Sequence, residues 1–85
     1  MTEEMLAAVL DGSVVVLDTQ HARVMLLDPP TERIWRACTG LIAEDIATLV
    51  REATSTVLAT LRELAEAGLI SSENGRWNQA HMTWI

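Results

Sequence analysis

The sequence predicts an α+β fold: an N-terminal three-stranded antiparallel sheet, then three helices, then a short C-terminal hairpin. Three observations carry this. Two runs rich in β-branched and large aliphatic residues, S-V-V-V-L-D and A-R-V-M-L-L, precede Asp28 with only a short polar link between them. Apolar residues recur at helical spacing from Ile34 to Ala65. Asp11-Gly12 and Asn74-Gly75 suit type I′ hairpin turns, in which both central residues take positive φ.

The first strand is expected from Leu6 to Leu10 and the second from Ser13 to Asp18, joined at Asp11-Gly12. Met5, Leu6, Val9 and Leu10 also share one helical face and Thr2 suits an N-cap, so a helix competes for the first segment. Ala22 to Leu27 reads as the third strand. The polar link Thr19-Gln20-His21 is short enough to make it the antiparallel neighbour of the second.

At Asp28-Pro29-Pro30-Thr31 the pattern switches. Proline bars further sheet pairing, while Asp at the cap and Pro at the first helical position start a helix. Ile34, Trp35 and Cys38 form its apolar face, Glu32, Arg33 and Arg36 its outer face, and Gly40 its expected left-handed stop. Ile42, Ile46, Leu49, Val50 and Ala53 describe a second amphipathic helix, with Glu44, Asp45, Arg51 and Glu52 opposite. Ser55 suits the cap of a third, with apolar positions Val57, Leu58, Leu61, Leu64 and Ala65 and an end at Gly68. Next comes a short wing, Ile70 to Glu73 and Arg76 to Asn78 around Asn74-Gly75, and then Met82, Trp84 and Ile85, apolar enough to pack back on the body.

Eighty-five residues, 49% of them hydrophobic and 21% charged, suit one globular domain over residues 1–85, near the smallest size that holds a core without staples. Twelve Asp and Glu oppose six Arg, and lysine is absent, for a formal net charge of -6. Binding to phosphate backbones is driven by cationic side chains, so nucleic acid and acidic membranes are disfavoured and a basic or neutral peptide is favoured. No apolar run approaches a membrane span, and Glu3 and Glu4 stand where a signal peptide carries Lys or Arg. With Cys38 as the one cysteine, a cytoplasmic protein is expected.

Catalytic chemistry finds little support. Cys38 falls on an apolar helix face, where a thiol is inert. His21 and His81 lie far apart with no Asp or Glu at metal-motif or catalytic-base offsets, and read as a solvated turn residue and a tail residue. The acidic pairs Glu3-Glu4 and Glu44-Asp45 are adjacent, so their side chains diverge on a helix. The glycines are scattered and form no phosphate loop. The chain therefore reads as a binding module and not an enzyme, with no metal or cofactor expected. Of the tryptophans, Trp35 is expected in the core, Trp77 in the wing or a groove, and Trp84 as an anchor for the tail.

The run V-V-V-L-D-T-Q-H-A-R-V-M-L-L-D-P-P-T-E-R-I-W, followed by two amphipathic helices and E-L-A-E-A-G-L-I, resembles the PqqD-like family from about Val14 to Ile70. Those domains are RiPP recognition elements, winged helix-turn-helix modules that hold the leader segment of a ribosomally made precursor peptide. Two matches are the more telling: Arg23, where a basic residue opens the second of two paired strands, and the Leu27-Asp28-Pro29 step into the first helix. The stand-alone leader-binding proteins of lasso-peptide biosynthesis are the most similar members. Two departures stand out: a shorter connection between the second and third helices, and Asp28 in place of the commoner Asn.

The resemblance implies that an extended leader adds as a strand to an edge running from Arg23 to Leu27, with side chains entering a groove beside the third helix. Carried onto this chain, the peptide-binding residues are Arg23, Val24, Met25, Leu26 and Leu27, with Leu58, Leu61, Arg62 and Ala65 as the helical wall. Strand alternation separates Met25 and Leu27, expected inward, from Val24 and Leu26, expected nearer the peptide, and proline at Met25 is expected to block pairing. The implied partners are the precursor leader and a separate leader peptidase or other maturation enzyme, including PQQ-type or other radical pathways. Two alternatives compete: a winged-helix nucleic-acid regulator, for which Arg62 beside Glu63 and Glu66 makes a poor recognition helix, and a structural subunit docking through its apolar tail. Truncation after Ile70 is expected to leave leader binding intact.

Overall fold

The computed structural model describes residues 5–85. In chain order these form β1 (Met5–Leu10), β2 (Ser13–Asp18), β3 (Arg23–Leu27), α1 (Pro29–Arg36), β4 (Thr39–Ile42), α2 (Ala43–Val50), α3 (Thr54–Glu66), β5 (Ile70–Glu73), β6 (Arg76–Gln79) and β7 (Thr83–Trp84). The fold is α+β, with two sheets and two compact units: of the described residues one holds 5–32 together with 81–85, the other 33–80. Met5–Leu10 is strand, not helix; Thr2, Glu3 and Glu4 lie outside the described residues.

In the first unit the strand order is β3-β2-β1-β7. Asp11 and Gly12 take φ of 52° and 79°, so a two-residue turn sets Leu10 opposite Ser13 and fixes the β1/β2 register. β2 and β3 pair antiparallel from Val14↔Leu27 to Asp18↔Arg23. Ala22, expected to open β3, instead sits in the turn at φ 51°, and the strand starts at Arg23. The expected three-stranded sheet gains a fourth member. β7 runs parallel to β1, with Thr83 beside Leu6 and Trp84 beside Ala7, and the Ile85 N–H donates to the Ala7 carbonyl at 2.8 Å. Ala7, Val14, Val16 and Leu27 are buried on one sheet face, and Met82 is buried just before β7.

Asp28 caps α1 as expected, its carboxylate accepting the Thr31 N–H at 3.0 Å. Hydrogen bonds from Thr31, its side chain first and then its backbone, hold the Asp28 carboxyl below its ordinary value.

In the second unit Ile34 and Trp35 are buried on the end of α1, and the Trp35 indole N–H donates to the Leu69 carbonyl at 3.3 Å. The Gln79 side-chain amide donates to the carbonyls of Trp35 at 3.1 Å and Arg36 at 3.4 Å, satisfying groups that a helix C-terminus leaves open. Gly40 is not the helix stop. It lies inside β4 at φ 92°, where the β4/β6 register shifts, and Thr39–Ile42 pairs with β6 in a three-stranded sheet of order β4-β6-β5. The Asn74-Gly75 hairpin forms as expected, with φ of 54° and 75°.

The second helix is shorter than its apolar pattern. Ile42 ends β4 and occupies the cap position, Ala53 precedes α3, and Leu49 is 65% exposed while Ala43, Ile46 and Ala47 are buried. The helix closes on Arg51 at φ 60°, ψ 46°, its N–H donating to the Ala47 carbonyl. Helix α3 starts at Thr54 with no side-chain cap, so Ser55 lies in its first turn and not at the cap. Val57, Leu61 and Leu64 are buried, and Gly68 takes the left-handed stop at φ 79°. No helix among the described residues is long and apolar enough to cross a membrane.

Candidate functional site

The site is built on β3. It ends the order β3-β2-β1-β7, and among the described residues no strand pairs with its outer side. Its aliphatic sequence favours strand, and its guards against further pairing are few: no proline, no bulge and one charge, Arg23.

The register decides which backbone groups face outward. In a two-residue hairpin the closing pair, Leu10 and Ser13, is hydrogen-bonded, so Ser13, Val15 and Leu17 turn their N–H and C=O toward β1. Val14, Val16 and Asp18 therefore turn theirs toward β3, where they bond Leu27, Met25 and Arg23. By the same alternation the backbone groups of Val24 and Leu26 point away from the sheet. The Ile85 N–H bond to the Ala7 carbonyl agrees, since alternation from Leu10 places the Ala7 groups on the side of β1 away from β2. One consequence corrects the sequence expectation: proline at Met25 would break the bond to β2, and the positions that test outer pairing are Val24 and Leu26.

Side chains follow the expected division. Val24 is 70% and Leu26 68% exposed, Leu27 is buried and Met25 is half-buried. On the open face two cross-strand rows form, Leu6–Leu17–Val24 and Ala8–Val15–Leu26. An added strand would extend both rows by one residue each.

Asp18 organises the turn before β3. The residue is 2% exposed, and its carboxylate accepts the N–H of Gln20 at 3.1 Å and of His21 at 3.3 Å, lies 2.9 Å from His21 Nδ1, and accepts the Nη2–H of Arg23 at 3.2 Å. A carboxylate only accepts, so Nδ1 of His21 carries the hydrogen there. Hydrogen bonding from the His21 side chain, above all, and from the His21 backbone and Arg23 outweighs burial and lowers the Asp18 carboxyl from its ordinary value. His21, expected as a solvated residue, is thus tied to the turn although exposed. Arg23, expected at the peptide, spends one nitrogen on Asp18 and keeps the rest of its half-exposed fork. The signal was present as Asp18, His21 and Arg23 flanking a polar turn, where Asp favours bonds to the backbone that follows.

The helical residues of the expected site lie on one stripe of α3, in the other unit. Arg62 is exposed, Leu58 and Ala65 are half-buried, and Leu61 is fully buried, so it has no surface to offer a peptide. The other candidates resolve simply. Cys38 is buried, its Sγ donates to the Ile34 carbonyl at 3.3 Å, and burial pushes its thiol up to about 11. Trp35 is in the core, Trp77 is half-buried in β6, Trp84 is in β7 and His81 is exposed. Among the described residues no three His, Cys, Asp or Glu side chains cluster to hold a metal ion.

No family model, curated protein or solved structure matches this chain.

Proposed function

We propose that this chain is a leader-peptide-binding module of the winged helix-turn-helix type, which takes the leader of a ribosomally made precursor as an added strand on β3. It presents that leader to a separate maturation enzyme, with a lasso-peptide leader peptidase the favoured partner. The observation that carries this reading is the outer side of β3: two residues with outward backbone groups and exposed aliphatic side chains, on a strand that nothing covers among the described residues. Backbone bonds to Val24 and Leu26 supply affinity that tolerates sequence variation, and the apolar rows ending at those residues supply specificity. In this reading Arg23 contacts the leader at the start of the strand.

Titration of the fluorescein-labelled cognate leader, followed by anisotropy, tests it. Saturable binding in the micromolar range, lost with Leu26→Pro, is expected. No change in anisotropy at high micromolar protein would contradict it.

A further inference from the structure

The acidic chain gathers three of its six arginines at one place. Arg33 and Arg36, one turn apart on α1, and Arg51, at the end of α2, line an open cleft of about 440 Å³ whose remaining walls are Ala37, Leu49 and Val50. All six residues belong to the second unit.

Two features of this cleft do not follow from folding. Leu49 is exposed although it lies in α2, whose apolar residues Ala43, Ile46 and Ala47 are buried. Arg51 closes α2 in the left-handed conformation, a position where glycine or asparagine ordinarily stands because a Cβ is strained there. Neither Arg33 nor Arg51 has an ion-pair partner among the described residues, so neither charge is spent on holding the fold.

An exposed leucine in the same cleft as three arginines suits a protein contact site, where arginine is enriched and the centre is apolar. The cleft is open, which suits a protein surface better than an enclosed small molecule. It also lies at the C-terminal ends of α1 and α2, whose carbonyls repel a free anion settling against the backbone. A carboxylate carried outward on a side chain meets the arginine forks without that penalty, and the planar fork takes it by two bonds.

We propose that this cleft docks an acidic segment of a partner protein, with an apolar side chain against Leu49 and carboxylates on Arg33, Arg36 and Arg51. The surface is independent of strand addition at β3.

The test uses the full chain and two short fluorescein-labelled peptides, one of Glu and Leu, its counterpart of Gln and Leu. Saturable binding of the first is expected, with the second at least about tenfold weaker. Arg51→Gly removes one fork while giving the left-handed position its preferred residue; it is expected to weaken binding about tenfold without lowering the melting temperature. Arg33→Gln, on an exposed helix face, is expected to act in the same direction. The Arg33 and Arg51 side-chain Nε–Hε signals should shift on binding while those of Arg23 and Arg62 stay in place. Equal binding of both peptides, undiminished binding by both variants, no binding at low millimolar peptide, or displacement by equimolar inorganic phosphate would each overturn the proposal.

Discussion

The two flanks of the four-stranded sheet are treated differently. Beyond β1 the chain lays down β7, pairs Thr83 and Trp84 against Leu6 and Ala7, and buries Met82 beside the junction. Beyond β3 it lays down nothing among the described residues, and β3 keeps Val24 and Leu26 in water. An uncovered aliphatic edge is a liability for aggregation, so covering one flank and leaving the other bare points to a use for the bare one.

The sharpest way to break the contrast is to put proline at neighbouring positions of β3. Met25→Pro removes an N–H that bonds β2 and is expected to cost about 3 kcal/mol or more in urea unfolding. Leu26→Pro removes an outward N–H, so the fold should survive while leader binding falls by about a hundredfold. The inverse pattern would mean that the strand faces the other way.

Deleting residues 81–85 removes the cover from β1. Loss of buried Met82 and of the β7 ladder is expected to cost about 2 to 4 kcal/mol and, by opening a second edge, to produce concentration-dependent association in sedimentation velocity. Truncation after Ile70 goes further, taking most of β5 and all of β6 as well. It therefore removes far more than an apolar tail and is expected to destabilise the second unit strongly.

The turn that aims β3 gives a pH handle. Asp18 is more acidic in the fold than its ordinary value of 3.8, so its ionised form favours the fold; that stability is present above pH 3.8 and lost as pH falls through the lowered value. Asp18→Asn should lower the melting temperature at neutral pH, with the difference from the parent chain shrinking in thermal melts below pH 3.8. A difference constant down to pH 2 would remove Asp18 from this role. The smallest stability effect is expected from Val24→Thr, within about 0.5 kcal/mol because the side chain is exposed, while leader affinity drops several-fold by loss of apolar contact.

What the sequence showed and what it hid divide along the same line of local against distant partners. Asp11-Gly12, Asn74-Gly75 and Asp28-Pro29 carry their geometry within a few residues, and all three formed where expected. Thr39–Ile42 was legible only as the end of one helix and the start of the next, because its strand identity comes from β6, far along the chain. At the end of α1, where a stop at Gly40 was expected, the distant Gln79 amide meets the Trp35 and Arg36 carbonyls. Likewise β7 is two residues long and takes its conformation from β1. At the site, alternation sorted Val24 and Leu26 from Leu27, but which backbone groups face outward needed the register set by the first hairpin.

Amide hydrogen exchange of β3 in the free and leader-bound protein tests the central claim most directly. The account predicts that Arg23, Met25 and Leu27 are already protected in the free chain, that Val24 and Leu26 exchange freely, and that saturating leader protects those two. Protection of Val24 and Leu26 in the free chain, or free exchange there at saturation, would contradict it.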